Sequence, residues 1–127
     1  MERSALQHAA ALYPCNAEAG DILVVGLNAN ASVARLKGPQ RPVNSESFRT
    51  WMMASLHIVD AVCVFEEDTP LELIRALGPD VLVKGGDYTP GTIVGADIVT
   101  DRGGQVLVVP IVQGYSTTGL IEKIRAL

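Results

Sequence analysis

Four short apolar runs constrain this chain more than any other feature of its sequence. Residues 21–28 read Asp-Ile-Leu-Val-Val-Gly-Leu-Asn with turn residues on both sides, as a strand buried on both faces requires. Similar runs recur at 61–65, 80–84 and 105–110, each followed by a polar or glycine-containing break. Helical patterns fill the gaps. Between Asn44 and Val59, the apolar residues Phe48, Trp51, Met52, Leu56 and Val59 fall on one helical face, with Asn44 as the cap. Thr69-Pro70-Leu71-Glu72 offers a capping residue, a proline at the first helical position and a glutamate placed to close a capping box. That helix runs to about Leu77, where Gly78 and Pro79 stop it. A last helix opens at Ser116-Thr117-Thr118 and carries Leu120, Ile121, Ile124 and Leu127. Such strands alternating with amphipathic helices predict a parallel sheet covered on both faces. A sheet of this kind takes its ligand beyond the carboxyl ends of its strands, which points to the loops after Asn28, Phe65, Lys84 and Pro110.

The 127 residues suffice for one core and are too few for two well-formed ones, so a single domain spanning 1–127 is expected. The hydrophobic fraction of 48% is enough to pack it. Fourteen acidic residues against ten basic ones give a formal charge of -4, and the basic residues form no stripe; nucleic acid is not an expected partner. Cys15 and Cys63 lack metal-ligand spacing, and Cys63 reads as a buried free thiol in a reducing compartment. No apolar stretch is long enough to span a bilayer and no signal peptide is recognisable, so a cytoplasmic protein without membrane contact is expected. The first twenty residues are a divergent segment: Leu6 to Leu12 reads as a helix that Pro14 ends or kinks, and no strand signal precedes Asp21.

Three segments could carry chemistry, and each has a plainer reading beside it. Lys37, Arg41 and Arg49 gather positive charge near the ligand edge of the sheet, where a phosphate would be a natural counterpart; spacing alone favours simple solvation of an exposed loop. Lys84-Gly85-Gly86-Asp87-Tyr88 follows a buried strand, and its two glycines allow close backbone approach to a ligand. Lys84 could meet a phosphate and Asp87 a hydroxyl or a basic group, with a tight turn and a solvated lysine equally compatible. Gly114-Tyr115-Ser116-Thr117-Thr118 places a glycine and hydroxyls at a helix start, where free N–H groups favour an anion and where such residues more commonly serve as caps. His57, at a helix end, reads as structural, and His8 has no recognisable partner. Glu66-Glu67-Asp68 suits a helix N-terminus better than a cation.

Taken in order, Arg35-Leu36-Lys37-Gly38, Arg41-Pro42-Val43-Asn44, Phe65-Glu66-Glu67-Asp68-Thr69-Pro70, Leu82-Val83-Lys84-Gly85-Gly86-Asp87-Tyr88 and Ser116-Thr117-Thr118 resemble the adenylyltransferase domain of bacterial ADP-heptose synthase. That domain belongs to the cytidylyltransferase-like nucleotidyltransferase superfamily, and the resemblance runs from about Gly20 to the C-terminus. It implies a Rossmann-like three-layer α/β/α fold with a parallel sheet. It also implies transfer of AMP from ATP, normally with Mg²⁺, to D-glycero-β-D-manno-heptose 1-phosphate, giving ADP-heptose and pyrophosphate for lipopolysaccharide synthesis. On that resemblance Lys37, Lys84 and Asp87 are the expected catalytic groups. Arg49, Gly85, Gly86, Ser116, Thr117 and Thr118 are expected to bind the nucleotide, and no protein metal ligand is assigned.

The chain departs from that family at its start. The family opens with a strand, a Thr-Asn-Gly-type turn, a phenylalanine-aspartate pair and an H-x-G-H motif; here the stretch before Gly20 is too short for that strand. The motif would fall near Leu6-Gln7-His8-Ala9, which lacks its pattern. In the family's order 3-2-1-4-5 this strand is central, so a missing or replaced first strand exposes two strand edges. The first twenty residues or a second copy in a homodimer would cover them, and a shortened or misassigned start would account for the same departure. Two functions are therefore expected: the heptose 1-phosphate adenylyltransferase, or an impaired relative that binds nucleotide or a partner transferase.

Overall fold

The computed structural model describes residues 22–127. The expected helix at 6–12, the lack of a strand before Asp21, His8, Cys15 and the divergent segment 1–20 lie outside the described residues. The chain divides into two compact units, one within Ala17–Gly78 and the other within Pro79–Leu127.

In the first unit, β1 (Val24–Asn28) and β2 (Ala61–Phe65) form a parallel pair with Val24 opposite Ala61 and Asn28 opposite Phe65. Three helices follow their strands: α1 (Asn30–Lys37), α2 (Glu46–Ala54) and α3 (Leu71–Leu77). Val25, Leu27, Ala29, Met53, Phe65 and Ile74 are buried. The Leu73 side chain of α3 lies against Gly26 of β1, since a Cβ there would stand 3.1 Å from Leu73 Cδ2. α3 stops as the sequence requires: Gly78 turns left-handed at φ 55° and its N–H donates to the Ile74 carbonyl.

In the second unit, β3 (Val81–Gly85) and β4 (Gln105–Val109) pair in parallel with Lys84 opposite Val108 and Gly85 opposite Val109. A 3₁₀ turn at Pro90–Thr92 leads into α4 (Ala96–Asp101), and α5 (Thr117–Arg125) closes the chain. Ile93, Ala96, Val99 and Val109 are buried. The spacing of three among Ile93, Ala96 and Val99 brings one side of this short segment onto the strands, against which α4 packs.

All four strands expected from the apolar runs are present, all ladders are parallel, and the α/β architecture is of the Rossmann-like nucleotidyltransferase type. The strands form two two-stranded sheets, so each strand is paired on one side only among the described residues. Burial on both faces does not hold throughout, because Val64 and Val81 remain more than a third exposed.

Three local expectations are corrected. The second helix covers Glu46–Ala54, and its cap is Ser45, whose Oγ accepts from the Phe48 N–H at 3.3 Å, in place of Asn44. Its sheet-facing residue is Met53, 6% exposed, whereas Phe48 and Trp51 of the expected inner face are 52% and 76% exposed. The residues that turn inward, Glu46, Arg49, Thr50 and Met53, follow the same helical spacing one step round, and their polar start conceals the periodicity. Thr69 is no cap either, because α3 begins after Pro70 without a side-chain cap bond.

Candidate functional site at the strand ends

The ends of β3 and β4 set the starts of two of the expected loops side by side. Lys84 and Gly85 are the last two residues of β3. The next residue, Gly86, keeps the ladder for one more step through its N–H, which donates to the Val109 carbonyl at 2.9 Å. Gly86 then turns at φ 133°, a conformation that side-chain-bearing residues rarely adopt. Glycine is therefore favoured here, and the turn brings the Tyr88 ring back over it. The side chains of Lys84, Asp87 and Tyr88 are exposed. Lys84 Nζ stands 5.4 Å from the centroid of the Tyr88 ring.

From the adjacent end of β4 the chain passes through Gly114, at φ 87°, to α5. Ser116 is the N-cap, and its Oγ accepts from the Gly119 N–H at 3.0 Å. Its carbonyl accepts from Leu120 at 3.0 Å. The N–H groups of Thr117 and Thr118 have no partner within the helix, as at any helix start, and both residues are exposed. Capping and anion binding are compatible here: the cap satisfies Gly119 and leaves the first two donors outward.

The other two expected residues belong to the unit within Ala17–Gly78. Lys37 is the exposed last residue of α1, just before Gly38 at φ 99°. Arg49 lies in the first turns of α2 and already has two protein partners: its Nη2 donates to Asn30 Oδ1 at 3.2 Å, and its Nε to the Asn44 carbonyl at 3.3 Å. Beside it, Glu46 Oε2 accepts from the Asn30 N–H at 3.0 Å. The start of α1 is thus met by a carboxylate, which its unpaired N–H groups and helix dipole favour. Arg49 ties the loop before α2 to the start of α1.

A second network fixes the tips of β1 and β2. The Ala29 N–H donates to the Phe65 carbonyl at 2.8 Å. Ser32, 0% exposed, donates to the Glu67 carbonyl at 2.8 Å and accepts from Asn28 Nδ2 at 2.9 Å. Arg35 pairs with Asp68 at 2.8 Å and also donates to the Glu66 carbonyl. Glu66-Glu67-Asp68 is therefore a loop held by α1; its backbone oxygens and Asp68 serve that purpose. Asn28, Ser32 and Glu46 were not singled out from the sequence. A polar residue in a helix just after a strand is the one local hint, and their partners lie as far as 35 residues away. Among the described residues no cluster of three metal-ligating side chains occurs, and no helix is long and apolar enough to cross a membrane.

The model of the cytidylyltransferase-like family matches residues 8–122. Three relatives named bifunctional protein HldE are similar to the chain. The protein of Mesorhizobium japonicum is 62% identical over 106 residues, 84% of this chain. That of Trichlorobacter lovleyi is 59% identical over 105 residues, 83% of the chain. That of Caulobacter vibrioides is 56% identical over 106 residues. The match spans about a fifth of the length of these relatives, 21% for the first two and 22% for the third.

Proposed function

We propose an adenylyl-transfer role for this chain, which belongs to the cytidylyltransferase-like family. In this reading an oxygen of D-glycero-β-D-manno-heptose 1-phosphate attacks the α-phosphorus of ATP. The bond from that phosphorus to the bridging oxygen breaks, and ADP-heptose and pyrophosphate are formed. No covalent enzyme intermediate is needed, so the protein's contribution is positioning and charge stabilisation.

The observation that carries the reading is the bond between the Gly86 N–H and the Val109 carbonyl, which joins the Lys84–Asp87 loop to the end of the strand that leads to α5. Lys84 supplies positive charge, Gly85 and Gly86 let a phosphate come close to the backbone, and the outward N–H groups of Thr117 and Thr118 accept an anion. Asp87 orients a sugar hydroxyl. Within their own unit, Lys37 is an exposed cation and Arg49 is held by Asn30. Mg²⁺ would neutralise charge on the polyphosphate. An ion of this kind is carried mostly by phosphate oxygens and water.

The chain's two histidines, His8 and His57, cannot form an H-x-G-H motif, and this favours a second reading in which the chain binds nucleotide without turnover or associates with a transferase. Pyrophosphate release with ATP, Mg²⁺ and the heptose 1-phosphate decides between them. Turnover above a protein-free control supports transfer. ATP binding by calorimetry with turnover equal to that control supports the second reading, and no nucleotide binding refutes transfer and leaves of the second reading only association with a transferase.

A further inference from the structure

Tyr88 lies just past the glycine turn, and the proposed transfer assigns it no role. A Cβ at Gly86 would fall 2.7 Å from Tyr88 Cε2 and 2.9 Å from Cδ2. The ring therefore rests on the glycine backbone, in space that any other residue would fill. About half of Tyr88 stays exposed. The Lys84 ammonium lies within the ~6 Å over which an aromatic face attracts a cation. Among the described residues the ion pairs are Arg35–Asp68 and Arg75–Glu72, so Lys84 has no carboxylate partner.

The geometry points to Tyr88 as a positioning residue for Lys84, holding its ammonium at the end of β3 for a nucleotide phosphate; this rests on the reading of Lys84 as a phosphate contact. A lysine head on a four-carbon stem is a mobile point charge. A carboxylate would restrain it but would also neutralise it and compete with the phosphate. An aromatic face restrains it and leaves its charge and its three N–H donors available. The glycine turn is what makes this possible, because it brings the ring back over the residue four positions earlier. Gly86 thus serves Lys84 at one remove, through the ring that its missing side chain admits.

The test uses the full chain. The ring current of Tyr88 shifts the Lys84 ε-methylene protons upfield of those of the other lysines, and Tyr88→Phe retains that shift while Tyr88→Leu abolishes it. ATP affinity, measured by calorimetry, is unchanged in Tyr88→Phe and falls about two- to five-fold in Tyr88→Leu, the range expected for an exposed cation–aromatic contact. In a Lys84→Met background the Tyr88→Leu change has no further effect, which a merely structural ring would not produce. An unshifted Lys84 signal in the wild-type chain overturns the inference whatever the variants do, and so does wild-type ATP affinity in a folded Tyr88→Leu protein. Absence of ATP binding by the wild-type chain, with the ring-current pattern intact, instead refutes the phosphate role of Lys84 and leaves the ring–ammonium contact established.

Discussion

Replacing Ser32 by alanine tests whether the tip of the β1–β2 pair is held by hydrogen bonds or by packing alone. The side chain is fully buried, donates to the Glu67 carbonyl and accepts from Asn28 Nδ2. Alanine fills nearly the same space, so the loss is confined to two bonds. Each contributes about 1 kcal/mol net, and leaving the Asn28 amide and the Glu67 carbonyl without partners pushes the cost toward ~2 kcal/mol. Alanine is the better helix former, by at most roughly 0.5 kcal/mol in the first turn where Ser32 stands. The expected net loss is therefore about 1.5 kcal/mol, close to a tenfold change in the folding constant. Urea titration followed by far-ultraviolet circular dichroism should show a midpoint lower by roughly 0.5–1.5 M with the slope unchanged. In a double-mutant cycle with Asn28→Ala, the second substitution should cost about 1 kcal/mol less when Ser32 is already gone. A Ser32→Ala protein with the wild-type midpoint would refute the argument, since it would mean that the two bonds contribute nothing to the fold.

Gly104→Ala should be costlier. A Cβ there would stand 2.6 Å from the Asp80 carbonyl and 2.7 Å from Val99 Cγ1, and overpacking of this kind costs about 1–3 kcal/mol, read as a lower thermal midpoint. Asp68→Asn should cost less than about 1 kcal/mol, because its pair with Arg35 is more than half exposed, and the difference from wild type should vanish in molar salt. Lys84→Met should weaken ATP binding by about tenfold or more, as expected for loss of a charged hydrogen bond, while the unfolding midpoint stays where it was. The single tryptophan, Trp51, is 76% exposed, so acrylamide should quench it nearly as well in the native chain as in urea; strong protection would show that the outer face of α2 is covered.

Some of the candidate site was legible in the sequence because it is built from local chemistry. Lys84 to Asp87 stand at a strand end because an apolar run stops at two glycines, and Ser116 caps α5 because a hydroxyl before a helix has a backbone donor three residues on. Arg49 was singled out for its charge, but its contacts with Asn30 and the Asn44 carbonyl could not be inferred from spacing. α1 was missed because its buried residue is the polar Ser32, which breaks the apolar stripe on which helix recognition depends. α4 was missed because six residues are too few to display a period.

By itself the sequence determined where the strands run, that they pair in parallel and where α3 stops. Each of these follows from the order of apolar and glycine residues along a few neighbouring positions. The tertiary structure alone decided that α2 turns Met53 inward and leaves Trp51 outside, that Glu46 meets the start of α1, and that Tyr88 rests on Gly86 beside Lys84. Those outcomes depend on which groups come into contact when the chain folds back on itself. A helical period marks a face but not its partner, and a polar side chain names its chemistry but not the residue that will satisfy it.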